Sequence, residues 1–183
     1  MGLDMYLMAV LRTYKSYGDE KEDERRTKIK KTFPAIFKSG NLDSIEVSFE
    51  AGYWRKANQI HKWFVENVQE GKDDCGEYYV SREQLLALLE IVNELIKKLG
   101  LKKGKMINGY SFKDGKKTPI LEDGNIISNP EIAKEMLPSE GGFFFGGTDY
   151  DEYCFNDLVS TKEMLEKCLT LPEEWGFIYH SSW

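Results

Sequence analysis

The residue types best suited to chemistry fall in two short stretches far apart in the chain. The first is Gly52-Tyr-Trp-Arg-Lys-Ala-Asn-Gln-Ile-His-Lys-Trp-Phe64. Trp54, Asn58 and His61 recur at i, i+4 and i+7, a spacing that places all three on one side of a helix. Together they offer a stacking surface, an amide that reads hydrogen-bond donors and acceptors, and an imidazole. Arg55 stands beside them and suits a bidentate pair with a phosphate. The second stretch is Gly141-Gly-Phe-Phe-Phe-Gly-Gly-Thr-Asp-Tyr-Asp151. It reads as a strand over 143–145, a turn at Gly146-Gly147, and a helix opening at Thr148 or Asp149. Glycine lets backbone approach a ligand closely, and a helix N-terminus favours an anion, although Asp149 and Asp151 oppose one. The candidate ligand-binding set is therefore Trp54, Arg55, Asn58, His61, Thr148, Tyr150 and Asp151. Two readings stand side by side: these side chains fill the interior, or they line a shared pocket.

Other chemistries fit the residues less well. His61 and His180 are the only histidines, and neither H-x-x-x-H nor H-E-x-x-H spacing occurs. Asp149 and Asp151, with Asp73 and Asp74, have the donor type for Mg²⁺ or Ca²⁺, but short acidic runs equally serve loop solvation. Gly71 and Gly76 stand at the separation of a phosphate-binding loop, yet Glu77 follows where lysine is required. Gly104 and Gly109 fail in the same way, with Tyr110 following. No G-x-G-x-x-G follows a strand, and no G-x-S-x-G elbow is present. Cys75 and His61 would form a nucleophile and base, but no orienting acid or oxyanion donor is identifiable. The expectation is no catalytic residue, no metal site and no cofactor.

The elements that must position these residues follow from periodicity. Residues 3–11 alternate as a buried strand, with Leu3, Met5, Leu7, Ala9 and Leu11 on one face. Residues 12–31 are a charged excursion, mobile or an exposed helix. Residues 41–50 form a second strand, Ile45, Val47 and Phe49 alternating with Glu46 and Ser48. Gly52 then opens a helix over 53–68, with Tyr53, Ala57, Ile60, Phe64 and Val68 as its core stripe. After a turn over 69–76 and a short strand over 77–80, Ser81 and Gln84 form a capping box. The helix it starts carries Leu85, Leu88, Leu89, Val92, Leu95, Ile96 and Leu99, and Gly100 ends it. Residues 102–128 read as a basic hairpin insertion with turn dipeptides Asp114-Gly115 and Asp123-Gly124. Asn129-Pro130 starts a short helix to Leu137, which Pro138 stops. A long helix covers 149–169, and a last strand covers 175–180. The fold class is α+β: a small mixed or antiparallel sheet against two to three amphipathic helices, as a single domain over 1–183.

The chain of 183 residues carries a net charge of −6, which argues against direct DNA binding. Its charge is segregated. Residues 97–117 hold eight lysines and one acid, and residues 139–174 hold nine acids and two lysines. Mutual attraction or simple solvation accounts for this; the sharper reading is a basic lobe for an anion and an acidic face for a basic partner. Cys75, Cys154 and Cys168 make an odd count without a C-x-x-C pair, which fits a reducing cytoplasm. No apolar stretch reaches membrane-spanning length.

The chain resembles a group of small uncharacterised proteins of bacteriophages and prophages of Gram-positive bacteria. The resemblance rests on the start Met1-Gly-Leu-Asp-Met-Tyr-Leu7, on residues 53–64 and on Asp74-Cys-Gly-Glu-Tyr-Tyr-Val-Ser81. The glycine-flanked phenylalanine run and the end Tyr179-His-Ser-Ser-Trp183 match as well. Some members carry a phosphoglycerate kinase label, but the nucleotide-binding pattern of that much longer two-domain enzyme is absent here. The resemblance implies a phage origin and a complete chain located in the host cytoplasm, and it brings no particular activity. The leading expectation is a counter-defence protein that sequesters a small nucleotide-like ligand without turnover. The alternatives are a protein-binding inhibitor of a host defence or nucleic-acid-processing protein, acting through the acidic C-terminal segment, and a small nucleotide-acting enzyme.

Overall fold

A computed structural model describes residues 2–17, 23–38, 40, 42–142 and 145–183. Strand β1 (Asp4–Tyr14) is central, paired antiparallel to β2 (Ser44–Arg55) on one side and β6 (Gly176–Ser182) on the other. The short β3 (Tyr78–Val80) closes the far edge against β6, giving the order β2-β1-β6-β3. A separate two-stranded ribbon is made by β4 (Leu101–Lys113) and β5 (Lys116–Ile127). The helices are α1 (Glu24–Thr32), α2 (Asn58–Asn67), α3 (Arg82–Lys98), α4 (Pro130–Met136) and α5 (Glu152–Leu169). The α+β class expected from the sequence is the observed one.

Alternation along β1 and β6 divides the sheet into two faces. Met5, Leu7 and Ala9 of β1, with Phe177 and Tyr179 of β6 and Trp54 of β2, are buried in the main core. That core also takes Ala57, Ile60 and Phe64, and Leu85, Leu88, Val92 and Leu95 of α3. Phe64 stacks on Tyr179 with ring centroids 4.0 Å apart. The capping box of α3 is formed as expected: Gln84 N donates to Ser81 Oγ, and Ser81 N donates to Gln84 Oε1.

Four expectations need correction. Residues 53–55 do not open a helix; they continue β2, with Tyr53 opposite Tyr6, Trp54 opposite Met5 and Arg55 opposite Asp4. Aromatic residues fit a pleated, half-buried surface, and pairing with β1 overrides the apparent 3.6 periodicity. Asp123-Gly124 is not a turn but lies inside β5, opposite Lys105 and Gly104. A side chain at 124 would collide with the Met106 sulfur, whereas Asp114-Gly115 does turn, both residues having positive φ. The long C-terminal helix begins at Glu152, with Asp151 as its N-cap rather than inside it. Finally, the strand expected over 143–145 is unsupported at Phe145, which sits in a bend; residues 143 and 144 lie outside the described residues. The charged stretch after β1 contains α1, which has little amphipathic character but buries Arg26. Among the described residues no helix is long and apolar enough to cross a membrane.

Candidate functional site

The two stretches singled out in the sequence do converge. The β2–α2 corner and the segment from Gly146 to Asp157 form the walls of an open cleft of about 380 Å³. Arg55, Lys56, Asn58 and Gln59 come from the corner; Gly146, Gly147, Asp149, Asp151, Tyr153 and Asp157 come from the other side. Ile107 of the ribbon and Ser139 complete it.

The corner is tight. Lys56 has a positive φ of 61°, and its N–H donates to the Leu3 carbonyl at 2.8 Å. Gly146 faces it at φ 90°, and a Cβ there would come within 3.2 Å of the Lys56 side chain. Conformation and space therefore both call for glycine at 146. Asn58 Nδ2 donates to the Gly147 carbonyl at 2.6 Å and lies 3.4 Å from the Phe145 carbonyl. That binding of the glycine turn points the amide oxygen of Asn58 the other way. Asn58 is only 2% exposed, and among the described residues its Oδ1 has no hydrogen-bond partner.

Asp151 caps α5, accepting from the N–H groups of Tyr153 at 2.9 Å and Cys154 at 3.1 Å. Burial raises its carboxyl from the ordinary range and the nearby Asp149 charge adds to this, while the two backbone bonds act in the opposite sense. Asp157 lies less than two turns further along α5 and lines the same cleft. Burial pushes its carboxyl up to about 6, against the hydrogen bond donated by Gln59 Nε2 at 3.1 Å. The Cys154 thiol between them is pushed up to about 12, by burial first and then by Asp157 and Asp151.

The candidate residues thus separate. Arg55, Asn58 and Asp151 line the cleft. Thr148 and Tyr150 line an adjoining hollow of about 320 Å³, which shares Ile107, Asp149 and Asp151 with the cleft. The Tyr150 hydroxyl accepts from the Ser139 N–H at 3.0 Å.

Trp54 and His61 are in the core, 3% and 1% exposed, so neither presents a free face to a ligand. Trp54 Nε1 donates to Thr161 Oγ1 at 2.8 Å, and Thr161 donates to the Asp157 carbonyl at 2.6 Å. Trp54 thereby holds the turn of α5 that carries Asp157. His61 Nδ1 lies 2.8 Å from the Tyr179 hydroxyl. Its Nε2 is 3.1 Å from Asp73 Oδ2, within ion-pair distance but misaligned for a hydrogen bond. Its two nitrogens thus lie against Tyr179 and Asp73, and among the described residues no contact joins His61 to Cys75. Asp73 also accepts from Trp183 Nε1 at 3.0 Å, and Asp74 accepts from the Tyr78 hydroxyl. Among the described residues no group of three histidine, cysteine, aspartate or glutamate side chains is placed to hold a metal ion.

Comparison with known protein families, curated proteins and solved structures finds no match.

Lys56, Gln59, Tyr153 and Asp157 belong to the cleft and were absent from the sequence-derived set. Asp151, Cys154 and Asp157 recur at helical spacing, a signal that was available. Lys56 and Gln59 gain their position from the corner after β2, which the helical reading of residues 53–57 concealed.

Proposed function

We propose that this chain binds a small nucleotide-type molecule in the cleft and holds it without turnover. The observation that carries the reading is the opposition, across one cleft, of the Arg55–Lys56 corner and the Asp151 and Asp157 carboxylates. The cleft is thus polarised in a way that suits such a ligand. Arg55 and Lys56 supply positive charge for a phosphate on the corner side. Asp157 and Asp151 supply acceptors for a donor-bearing base edge on the α5 side, the pairing logic by which carboxylates read amino groups of bases. Tyr153, 62% exposed, offers a ring for stacking. Arg55 is engaged only loosely, 3.9 Å from Asp4, and is free to turn toward an anion.

Calorimetric titration with the four ribonucleoside 5′-monophosphates and with a cyclic dinucleotide tests this. Uptake of one of them is expected, weakened about 10-fold or more by Arg55→Ala and, separately, by Asp157→Ala in variants that remain folded. Mass spectrometry after denaturation should return the bound molecule unchanged. No heat with any of the five compounds would sink the proposal, and recovery of a converted product would replace capture with catalysis.

A further inference from the structure

The β4–β5 ribbon continues well beyond its contact with the body. Residues 108–121 are exposed throughout, with Phe112 76% exposed and Tyr110, Ile120 and Leu121 also open to solvent. A two-stranded ribbon alone is marginal in water, and exposed apolar ribbon surface calls for a cover. Cross-strand register places Phe112 opposite Lys117 and Lys113 opposite Lys116. Lys117 also lies over the Tyr110 ring, its Nζ 3.8 Å from the centroid. The tip is therefore an aromatic knob set among lysines.

A matching hollow of about 410 Å³ lies on the sheet face turned away from the helices. Val10, Gly176 and Ile178 form its floor. A Cβ on Gly176 would come within 3.3 Å of Tyr79, so glycine keeps the floor open. Tyr79, 68% exposed, is one wall, and Glu77 and Glu174 stand on the rim. The rim cation Arg12 is already paired to Glu46 at 2.5 Å. An acidic rim around an apolar floor repels nucleic acid and suits a knob flanked by lysines.

We propose that the ribbon tip of one copy seats Phe112 in this hollow of a second copy, with Lys116 and Lys117 against Glu77 and Glu174. The exchange is reciprocal and closes as a two-fold dimer. It does not depend on what the cleft binds.

Analytical ultracentrifugation of the full chain tests it. At low salt the mass is twice that of one chain (21.2 kDa), and it falls toward one chain as salt rises. Phe112→Asp, on an exposed ribbon, sediments as a monomer with an unchanged melting curve. Lys116→Glu with Lys117→Glu, and separately Glu77→Lys with Glu174→Lys, are each monomeric. Mixed, the two charge variants form a heterodimer, because every tip then meets a hollow of opposite sign. A wild-type chain that stays monomeric at every concentration overturns the proposal. So does a Phe112→Asp dimer as tight as wild type, or a charge-swapped mixture that fails to associate.

Discussion

Burial pushes the Asp157 carboxyl up to about 6 from an ordinary value of 3.8, so the folded chain binds this proton more tightly than the unfolded chain. The sign follows from linkage: the contribution to stability is full below about 4 and is lost as pH rises through about 6. Asp157→Asn keeps an acceptor for Gln59 and removes the charge. At pH 7.5 the variant should be more stable than wild type by about 1–2 kcal/mol, a figure discounted for partial exposure. At pH 4 the two should coincide. Paired urea titrations at the two pH values check this, and equal stabilities at pH 7.5 would show that the carboxylate is not held in a desolvating site. Trp54 gives the complementary prediction. As a core residue it should cost about 3–5 kcal/mol on truncation to alanine with no ligand present. Trp54→Phe should cost less, about 1–2 kcal/mol, mainly the bond to Thr161. A ligand platform on the surface would instead leave the urea midpoint unmoved.

At the scale of elements, the legible parts are those whose signal is local. The helix over residues 82–98 announces itself through Ser81, Gln84 and a regular leucine face. The alternation of residues 3–11 marks β1, and Asp114-Gly115 marks the ribbon turn. The β2–α2 corner is illegible for a physical reason: residues 53–57 satisfy a helical pattern, yet antiparallel pairing to β1 decides the conformation of 53–55. The error moves Trp54 from a helical stripe shared with Asn58 and His61 to strand β2 and hides Lys56, whose left-handed backbone no sequence pattern signals. Gly146 is the partner feature. Gly146→Ala meets both a φ of 90° and the Lys56 side chain, so it should destabilise the chain by about 1–3 kcal/mol. Hydrogen exchange should rise in the segment 145–151, where Asn58 grips the turn, with little change in α3. A uniform rise across both segments would mean that the turn is not a separate local unit.

At the scale of the molecule, α5 ties the cleft to the sheet, because it carries Asp157 at one turn and buried apolar residues along its length. Its two cysteines report on that role. Cys154 sits in the first turn and Cys168 in the last; both are buried, with thiols pushed by burial up to about 12 and about 11. The nucleophile is the thiolate, so at pH 8 neither reacts while folded, whereas exposed Cys75 reacts at once. Unfolding returns both thiols to the ordinary range, and their labelling then measures opening. If α5 is part of one cooperative unit with the sheet, Cys154 and Cys168 should label with the same protection factor and the same urea dependence. A Cys75→Ser chain reduces the experiment to these two sites. Faster labelling at Cys154 than at Cys168 would instead mean that the cleft end of α5 opens separately, which would make the ligand site a local equilibrium rather than a fixed wall. The mutual support of Trp54, Thr161 and Asp157 argues for the single unit, since loosening the cleft half of α5 breaks the bond that ties it to β2 at the sheet edge.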